Sequence, residues 1–242
     1  MVETAVILAA GMGSRLGDLA NNRPKGFLDV GGIRLIDRSI DALLAAGIEN
    51  IVIGTGYQSA YYEGYAADKP FIRCVRNDAF QDTGSMETLY RLRETVSGCF
   101  LLLESDLLYD PAGISLLMED PRDNVLLASG PTHSSDEVYV ETDQSGYLVG
   151  MSKHKETLGA VHAELVGITK VSATFYALMC DEYGRIGSPK ADYESLIVAA
   201  GRSEPMNVKI VDDYIWCEID DDHHMARAIG TVLPKLQNRG LK

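Results

Sequence analysis

The stretch Ala5-Val6-Ile7-Leu8-Ala9-Ala10-Gly11-Met12-Gly13-Ser14-Arg15-Leu16-Gly17, followed after a short gap by Arg23-Pro24-Lys25, decides how the rest of this chain is read. An apolar run with the texture of a strand empties into a loop with glycines at positions 11, 13 and 17, and cations follow at once. Glycine reaches positive φ at little cost and lets the backbone pass close to a ligand, so consecutive N–H groups can converge on an anion. Arg15 and Lys25 would neutralise a bound polyphosphate, the arginine through a forked contact and the lysine as a compact point charge. Glycines alone fit a plain strand-to-helix turn equally well. The fixed company of Arg15 and the Arg-Pro-Lys triplet tips the reading toward phosphate.

Two other phosphate loops are excluded. A Walker loop needs Gly-x-x-x-x-Gly-Lys-Ser/Thr, and Gly17 is followed by Asp18. A dinucleotide fingerprint needs Gly-x-Gly-x-x-Gly, but Leu16 holds the third glycine position. The second strand, Ile51-Val52-Ile53, also runs into Gly54-Thr55-Gly56 without an acid to hold a ribose.

Outward from this loop, apolar runs at Ala5–Ala10, Ile51–Ile53, Phe71–Val75, Cys99–Leu103 and Val125–Ala128 alternate with helix-period segments. That alternation predicts an α/β fold, a mostly parallel, doubly wound sheet of Rossmann-like type covered on both faces. Leu35 to Ala46 reads as a helix with Leu35, Ile36, Ile40, Leu43 and Leu44 on one face and Gly47 as its stop, and Ser85 to Val96 as a second. From Glu137 the texture changes. Val138-Tyr139-Val140 and Tyr147-Leu148-Val149 flank Asp143-Gln144-Ser145-Gly146 as a hairpin, and strands recur near Leu165–Thr169 and Val208–Ile210. The expected organisation is one domain over 1–242, with a nucleotide-binding half to about residue 135 and a small β-rich acceptor lobe in 136–242. Ligands in such sheets bind beyond the carboxyl ends of the strands.

A chain of 242 residues, 46% hydrophobic and 24% charged, has the makings of an ordinary globular core. Its formal net charge of -13 argues against nucleic acid as a partner, because phosphate-backbone affinity needs clustered Lys and Arg. Cys74, Cys99, Cys180 and Cys217 are scattered, without a Cys-x-x-Cys pair or histidines at zinc spacing, and are expected to be reduced and mostly buried. No signal-peptide or membrane-spanning pattern is found, so a cytoplasmic location and no membrane partner are expected. Oligomeric state is not legible, since an apolar face reads the same against its own core or a second subunit.

Leu8-Ala9-Ala10-Gly11-Met12-Gly13-Ser14-Arg15-Leu16 with Pro24-Lys25 resembles the signature of the nucleotidyltransferases that activate sugar phosphates, phosphocholine and related acceptors. The resemblance runs from Ala5 to about Ala228. Thr83-Gly84-Ser85-Met86, Leu102-Leu103-Glu104-Ser105-Asp106 and Trp216-Cys217-Glu218-Ile219-Asp220 look most like the cytidylyltransferases of phosphonate and phosphocholine metabolism. The implied reaction joins CTP and 2-aminoethylphosphonate, with pyrophosphate leaving. Phosphocholine, an inositol phosphate or a sugar phosphate are alternative acceptors, and a nucleotide-binding module without catalysis is a reading of a different class.

The resemblance also implies roles. Lys25 contacts the α-phosphate and the acceptor oxygen, Arg15 the outer phosphates, and Lys153 draws in the acceptor. Leu8, Ala10, Gly11, Gly13 and Ser14, with Gly84, Ser85 and Thr88, form the nucleotide side. Asp106 and Asp220 are the expected ligands of Mg2+, a hard cation that favours carboxylates together with phosphate oxygens. Either aspartate reads equally as a helix cap, Asp221 or Asp222 as a substitute for Asp220, and Ser85 as an N-cap. A phosphate or phosphonate oxygen is largely ionised near neutral pH, so the task is positioning and charge screening rather than general-base catalysis.

For the acceptor, a quaternary ammonium favours an aromatic cage and a primary ammonium needs carboxylates that accept its N–H groups. The acceptor half offers Asp136-Glu137 and Asp192-Tyr193-Glu194, alongside the aromatic residues Tyr139, Tyr176 and Trp216, so both chemistries are available. The acids tilt the reading toward aminoethylphosphonate. His223 and His224 are neighbours on a helix, point in different directions, and read as structural.

Overall fold

Strand β1 (Thr4–Ala9) is the axis of the fold, its Ala5, Val6 and Ile7 wholly excluded from solvent. In the computed structural model, which describes residues 2–20 and 22–241, the chain leaves β1 through the glycine loop and a 3₁₀ segment, Ser14–Ala20. A short ladder, β2 (Asp29–Val30) with β3 (Ile33–Arg34), leads into α1 (Leu35–Ala45). Then follow β4 (Asn50–Thr55), α2 (Ser59–Ala66), β5 (Ile72–Arg76), α3 (Ser85–Arg91), β6 (Phe100–Glu104), β7 (Leu107–Tyr109), α4 (Ala112–Glu119) and β8 (Val125–Ser129).

The second half supplies β9 (Tyr139–Thr142), β10 (Leu148–Ser152), β11 (Ala163–Val171), α5 (Ala173–Ile186), α6 (Tyr193–Ala200), β12 (Asn207–Val211) and β13 (Trp216–Glu218). Helix α7 (Asp222–Arg227) passes through a π turn at Ala228–Val232 into α8 (Leu233–Asn238).

β5, β4, β1 and β6 run side by side in parallel, as alternating strands and helices require. β11 then runs antiparallel to β6 and to β8, β8 pairs in parallel with β12, and the β9–β10 hairpin joins the sheet along the first residues of β11. The small β-rich lobe is thus an extension of the main sheet.

Both faces of the parallel block are buried, so its strands read as continuous apolar runs while adjacent residues still serve opposite faces. Ile7, Ile53, Leu101 and Leu103 pack against Ile36, Ile40 and Leu43 of α1 and Tyr62 of α2. Val6, Val52, Phe100 and Leu102 pack against Met86, Leu89, Phe175, Met179 and Leu196 on α3, α5 and α6. A third cluster ties Leu16 and Leu28 to Leu108, Ile219, Met225 and Leu233, which fixes the end of the chain beside the glycine loop.

Three expectations are corrected. Leu44 faces solvent, leaving the core side of α1 to Leu35, Ile36, Ile40 and Leu43. α3 stops at Arg91, where the N–H groups of Thr95 and Val96 both turn back to the carbonyl of Leu92. All four cysteines are free, but only Cys217 is buried; Cys74, Cys99 and Cys180 lie half-buried at the edges of the core. Among the described residues no helix is long and apolar enough to cross a membrane.

Candidate active site

Two neighbouring strand ends create the site. β6 closes on Glu104, Ser105 and Asp106, and β13 closes on Glu218 and runs on to Asp220. The antiparallel pairing of β7 with β13 sets Glu218 opposite Leu107, and the N–H of Ile219 bonds the carbonyl of Asp106 at 3.0 Å. That ladder is why two acids remote in sequence share a cation. Lys25 Nζ lies 2.7 Å from Asp106 Oδ2 and also bonds Asp220 Oδ1.

Lys25 rides on a 3₁₀ turn, Lys25–Phe27, closed by bonds from Phe27 N to Pro24 O and from Leu28 N to Lys25 O. Gly13 sits in the left-handed region with φ 60, and a Cβ there would stand 3.3 Å from Lys25 Cγ, so the glycine loop packs directly on the stem of Lys25. Burial alone would weaken the Lys25 ammonium, but the charges of Asp106, Asp220 and Glu218 win and raise its pKa. Asp220, only 2% exposed, is raised by burial and pulled further the other way by Lys25, ending well below the usual carboxylate range.

Arg15 lies outside the cleft wall and clasps two acids, Asp220 Oδ2 at 2.6 Å and Asp136 Oδ2 at 2.8 Å. Lys153 reaches Asp136 Oδ1 at 2.9 Å from the hairpin side. The three cations expected to hold phosphate are therefore grouped around one cleft, each neutralised by carboxylates.

The cleft has a volume of about 280 Å³. Of the residues expected on the nucleotide side, Leu8, Ala10, Gly11, Gly84, Ser85 and Thr88 line it. Gly13 and Ser14 do not line it. Ser85 is not a cap either: Gly84 holds the N-cap position of α3, and Ser85 Oγ accepts the N–H of Tyr193 at 2.9 Å. Thr88 is buried and receives Asn77 Nδ2 at 3.0 Å. The segment before α6 rests on the start of α3, with Gly84 N bonded to Pro189 O at 2.8 Å and Met86 N to Ala191 O at 3.2 Å. A side chain on Gly84 would overlap the carbonyls of Lys190 and Ala191.

Asp192, Tyr193, Glu194, Glu104, Glu218 and Lys153 line the cleft as well. A side cavity of about 60 Å³ opens beyond Glu104, Lys153, Glu194 and Glu218, with Asp136, Glu137 and Trp216 on its far side. Tyr139 lines neither cavity; its hydroxyl donates to Glu137 at 3.1 Å and Lys155 lies over its ring. Tyr176 is a core residue bonded to Leu89 O, and Trp216 donates Nε1 to Ser129 Oγ at 2.8 Å. The aromatic residues proposed for a cage do not converge.

The helix-cap readings fail for both aspartates. Asp106 leads into β7, and Asp221, not Asp220, caps α7 by accepting the N–H of His224 at 2.8 Å. Asp222 is the first residue of α7 and is not among the acids gathered at Lys25.

Glu104 and Glu218 appear in the motifs above without a role, yet both face the cleft. The signal that finds them is the repeated Glu-x-Asp at two strand ends: residues two apart in extended chain share a side. Glu104 accepts from Tyr193 OH at 2.7 Å, and burial, with Asp106 and Glu194 nearby, pushes its carboxyl up to about 8. Glu218 is raised strongly by burial and by Asp106, Glu104 and Asp220. Glu194, whose Oε2 is enclosed and accepts no hydrogen bond from the described residues, is pushed up to about 7, chiefly by burial.

Residues 5–180 match the MobA-like NTP transferase domain, which covers most of the chain. The chain belongs to this family. Lys25, Asp106 and Lys153 of this NTP transferase fall inside the matched stretch, while Glu194, Glu218 and Asp220 follow it. The transferase is 27% identical over 232 residues to CMP-5'-(3-aminopropyl)phosphonate synthase of Streptomyces rubellomurinus, covering 90% of this chain but 37% of that relative. It thus spans little more than a third of that protein. It is 25% identical over 201 residues to 2-aminoethylphosphonate cytidylyltransferase of Lancefieldella rimae, covering 80% and 78% of the two chains. Its fold is that of the CTP:phosphocholine cytidylyltransferase of Streptococcus pneumoniae, with a TM-score of 0.76 at 18% identity over 95% and 99% of the chains.

Proposed function

We propose that this NTP transferase is a cytidylyltransferase that joins CTP to a small aminoalkylphosphonate, 2-aminoethylphosphonate in the first instance. An acceptor phosphonate oxygen attacks the α-phosphorus of CTP; the new P–O–P bond forms as the α–β phosphate bond breaks, and pyrophosphate carries away the electron pair. Such an oxygen is already ionised, so the protein's work is to bring two anions into line and screen their repulsion. Lys25 serves the α-phosphorus and the incoming oxygen, Arg15 the outer phosphates, and Lys153 the acceptor.

A magnesium ion fits the donor set. The acids Glu104, Asp106, Asp136, Glu218 and Asp220 gather about Lys25, Arg15 and Lys153, and burial with mutual crowding pushes the carboxyls of Glu104 and Glu218 up, a strain that a bound cation would relieve. The oxygens of Glu104, Asp106 and Glu218 lie within 4.8 Å of one another, as do those of Asp136, Glu218 and Asp220. All are hard oxygen donors of the kind magnesium takes. Asp106 and Asp220 would hold it, and bound there it supplies charge neutralisation for the triphosphate.

The observation that carries the acceptor reading is the acid wall. Glu194, Asp192, Glu104 and Glu218 face the cleft, while Tyr139 and Tyr176 lie elsewhere. Carboxyl groups replace the water of a primary ammonium by accepting its N–H bonds, which a quaternary ammonium lacks. The names of the two phosphonate relatives support the same acceptor class. The base preference rests on resemblance to cytidylyltransferases, with the backbone of Leu8 and Ala10 and the Gly84-Ser85 turn as the edge-reading groups.

The test is pyrophosphate release with magnesium, pairing CTP, UTP, ATP and GTP with 2-aminoethylphosphonate, phosphocholine, inositol 1-phosphate and glucose 1-phosphate. Turnover confined to CTP with 2-aminoethylphosphonate is the expected result. A preference for phosphocholine overturns the acid-wall reading and leaves the roles of Lys25 and the aspartates intact.

A further inference from the structure

His224 lies in the first turn of α7, 4% exposed, with both ring nitrogens engaged. Nδ1 lies 3.3 Å from the backbone nitrogen of Asp220, and Nε2 lies 3.0 Å from the carbonyl oxygen of Ser134. The N–H facing Nδ1 and the carbonyl facing Nε2 fit the tautomer with Nδ1 as acceptor and the proton on Nε2, and Nδ1 also stands 3.8 Å from Asp221 Oδ1. The helix does not need this ring. Its cap is the bond from the His224 backbone N–H to Asp221, which any residue at 224 would make.

The two segments that the ring joins both carry acids of the site. One is the turn holding Asp220. The other is the strap of residues 130–138 between β8 and β9, which holds Asp136. The strap is poorly supported by its own backbone, since His133 (φ 56) and Ser135 (φ 78) both occupy the left-handed region that L side chains disfavour. Ser134, between them, is the residue whose carbonyl His224 takes. Other anchors of the strap are Thr132 N on Glu164 at 2.7 Å, a longer contact of 3.4 Å from Arg227 to Thr132 O, and Leu165 N on Val138 O at 2.9 Å where the strap enters β9.

The contacts close a ring. Asp220 and Asp136 share Arg15 on the solvent side, and His224 ties the backbones of their two segments together on the buried side. Arg15 is half exposed and its contacts are screened by water, so the buried side sets the geometry.

We infer that His224 is a positioning residue of the transfer reaction, an imidazole that rivets the Asp220 turn to the Asp136 strap and so sets where Arg15 and Lys153 stand. It touches no substrate. Its effect divides in two: the Nδ1 end places Asp220, and the Nε2 end places Asp136 with its two cations.

Two variants separate the ends. His224→Asn offers an acceptor near the place of Nδ1 and loses Ser134; His224→Gln offers a donor near the place of Nε2 and loses Asp220. On the cytidylyl-transfer reading, which supplies the assay, His224→Gln should lower kcat about tenfold, raise the magnesium needed for half-maximal rate and leave acceptor KM nearly unchanged. His224→Asn should raise acceptor KM about fivefold with kcat within about twofold of the parent. Equal losses in the two variants that follow Tm alone, or kinetic constants unchanged in both, overturn the inference. A nitrogen NMR spectrum of the unaltered protein gives a second reading, with bare Nδ1 and protonated Nε2 expected and the opposite tautomer fatal. Should the parent turn over no substrate pair, the proposed function fails, and the tautomer then decides the rivet alone.

Discussion

Gly167 and Glu104 share one socket: a Cβ on Gly167 would stand 2.6 Å from Glu104 Oε2. Gly167 lies inside a strand whose residues are all buried, with φ 84, where the pairing of β11 with β8 slips between Leu165 and Thr169. A bulge with a left-handed glycine in a central strand re-aims its neighbours, and here it clears the space that a buried carboxyl fills.

Gly167→Ala should therefore destabilise the fold by about 2 kcal/mol, combining the left-handed backbone with the crowding of Glu104. Urea unfolding reads it. Glu104→Ala in the same chain should recover the steric part, and a Gly167→Ala protein as stable as its parent would mean that the socket is not tight.

Stability should fall as pH rises from about 5 to about 8. Glu104 and Glu194 are pushed up to about 8 and about 7, while an unfolded glutamate titrates near about 4.3, so in this window the folded chain binds more protons. Glu104→Gln should flatten the slope. Asp220 acts with the opposite sign: its lowered pKa contributes stability above its unfolded value near about 3.9, lost as pH drops below that. Unfolding midpoints at pH 3, 5, 6.5 and 8 check both directions.

Lys25→Ala should cut turnover by about 10³-fold or more, because it removes a preorganised charge at the reacting phosphorus. It should also cost about 3 kcal/mol of stability by leaving Asp106 and Asp220 facing each other without a partner. Added magnesium should then raise Tm more in the variant than in the parent. Equal shifts would place the cation elsewhere.

Glu194→Gln and Glu218→Gln should each raise the KM for 2-aminoethylphosphonate about tenfold, the loss expected for one charged hydrogen bond. The KM for phosphocholine should move less. Equal losses for both acceptors would count against recognition of the amine by these acids.

Much of this was legible in sequence because it is local. The glycine loop, the cations after it and the strand-end acids Asp106 and Asp220 lie where apolar runs end, and the parallel strands announce themselves as uninterrupted Val, Ile and Leu. What stayed hidden depends on pairing. Nothing near Glu218 in sequence says that β13 lies against β7, so its approach to Glu104 could not be read. Leu44 continues the apolar period of α1 but faces outward, because the helix meets the sheet along a stripe that ends at Leu43. Tyr139, Tyr176 and Trp216 look equally suited to a cage, and only the packing sends them to the surface, the core and the side cavity. The partners of Arg15 and Lys153 were likewise invisible, since Asp136 reaches them from a strap with no periodicity to announce it.

The position of β11 bears on how the chain is made. Thr169 and Lys170 pair with Leu102 and Leu101 of β6 on one edge and with Leu126 and Val125 of β8 on the other. A ribosome delivers β6 and β8 well before β11, so a nascent chain ending near residue 135 carries two apolar strands with open edges and no partner between them. Such edges recruit other chains. The first half should therefore aggregate when expressed alone, and during synthesis the sheet closes only after the stretch that also carries the Gly167 socket has emerged.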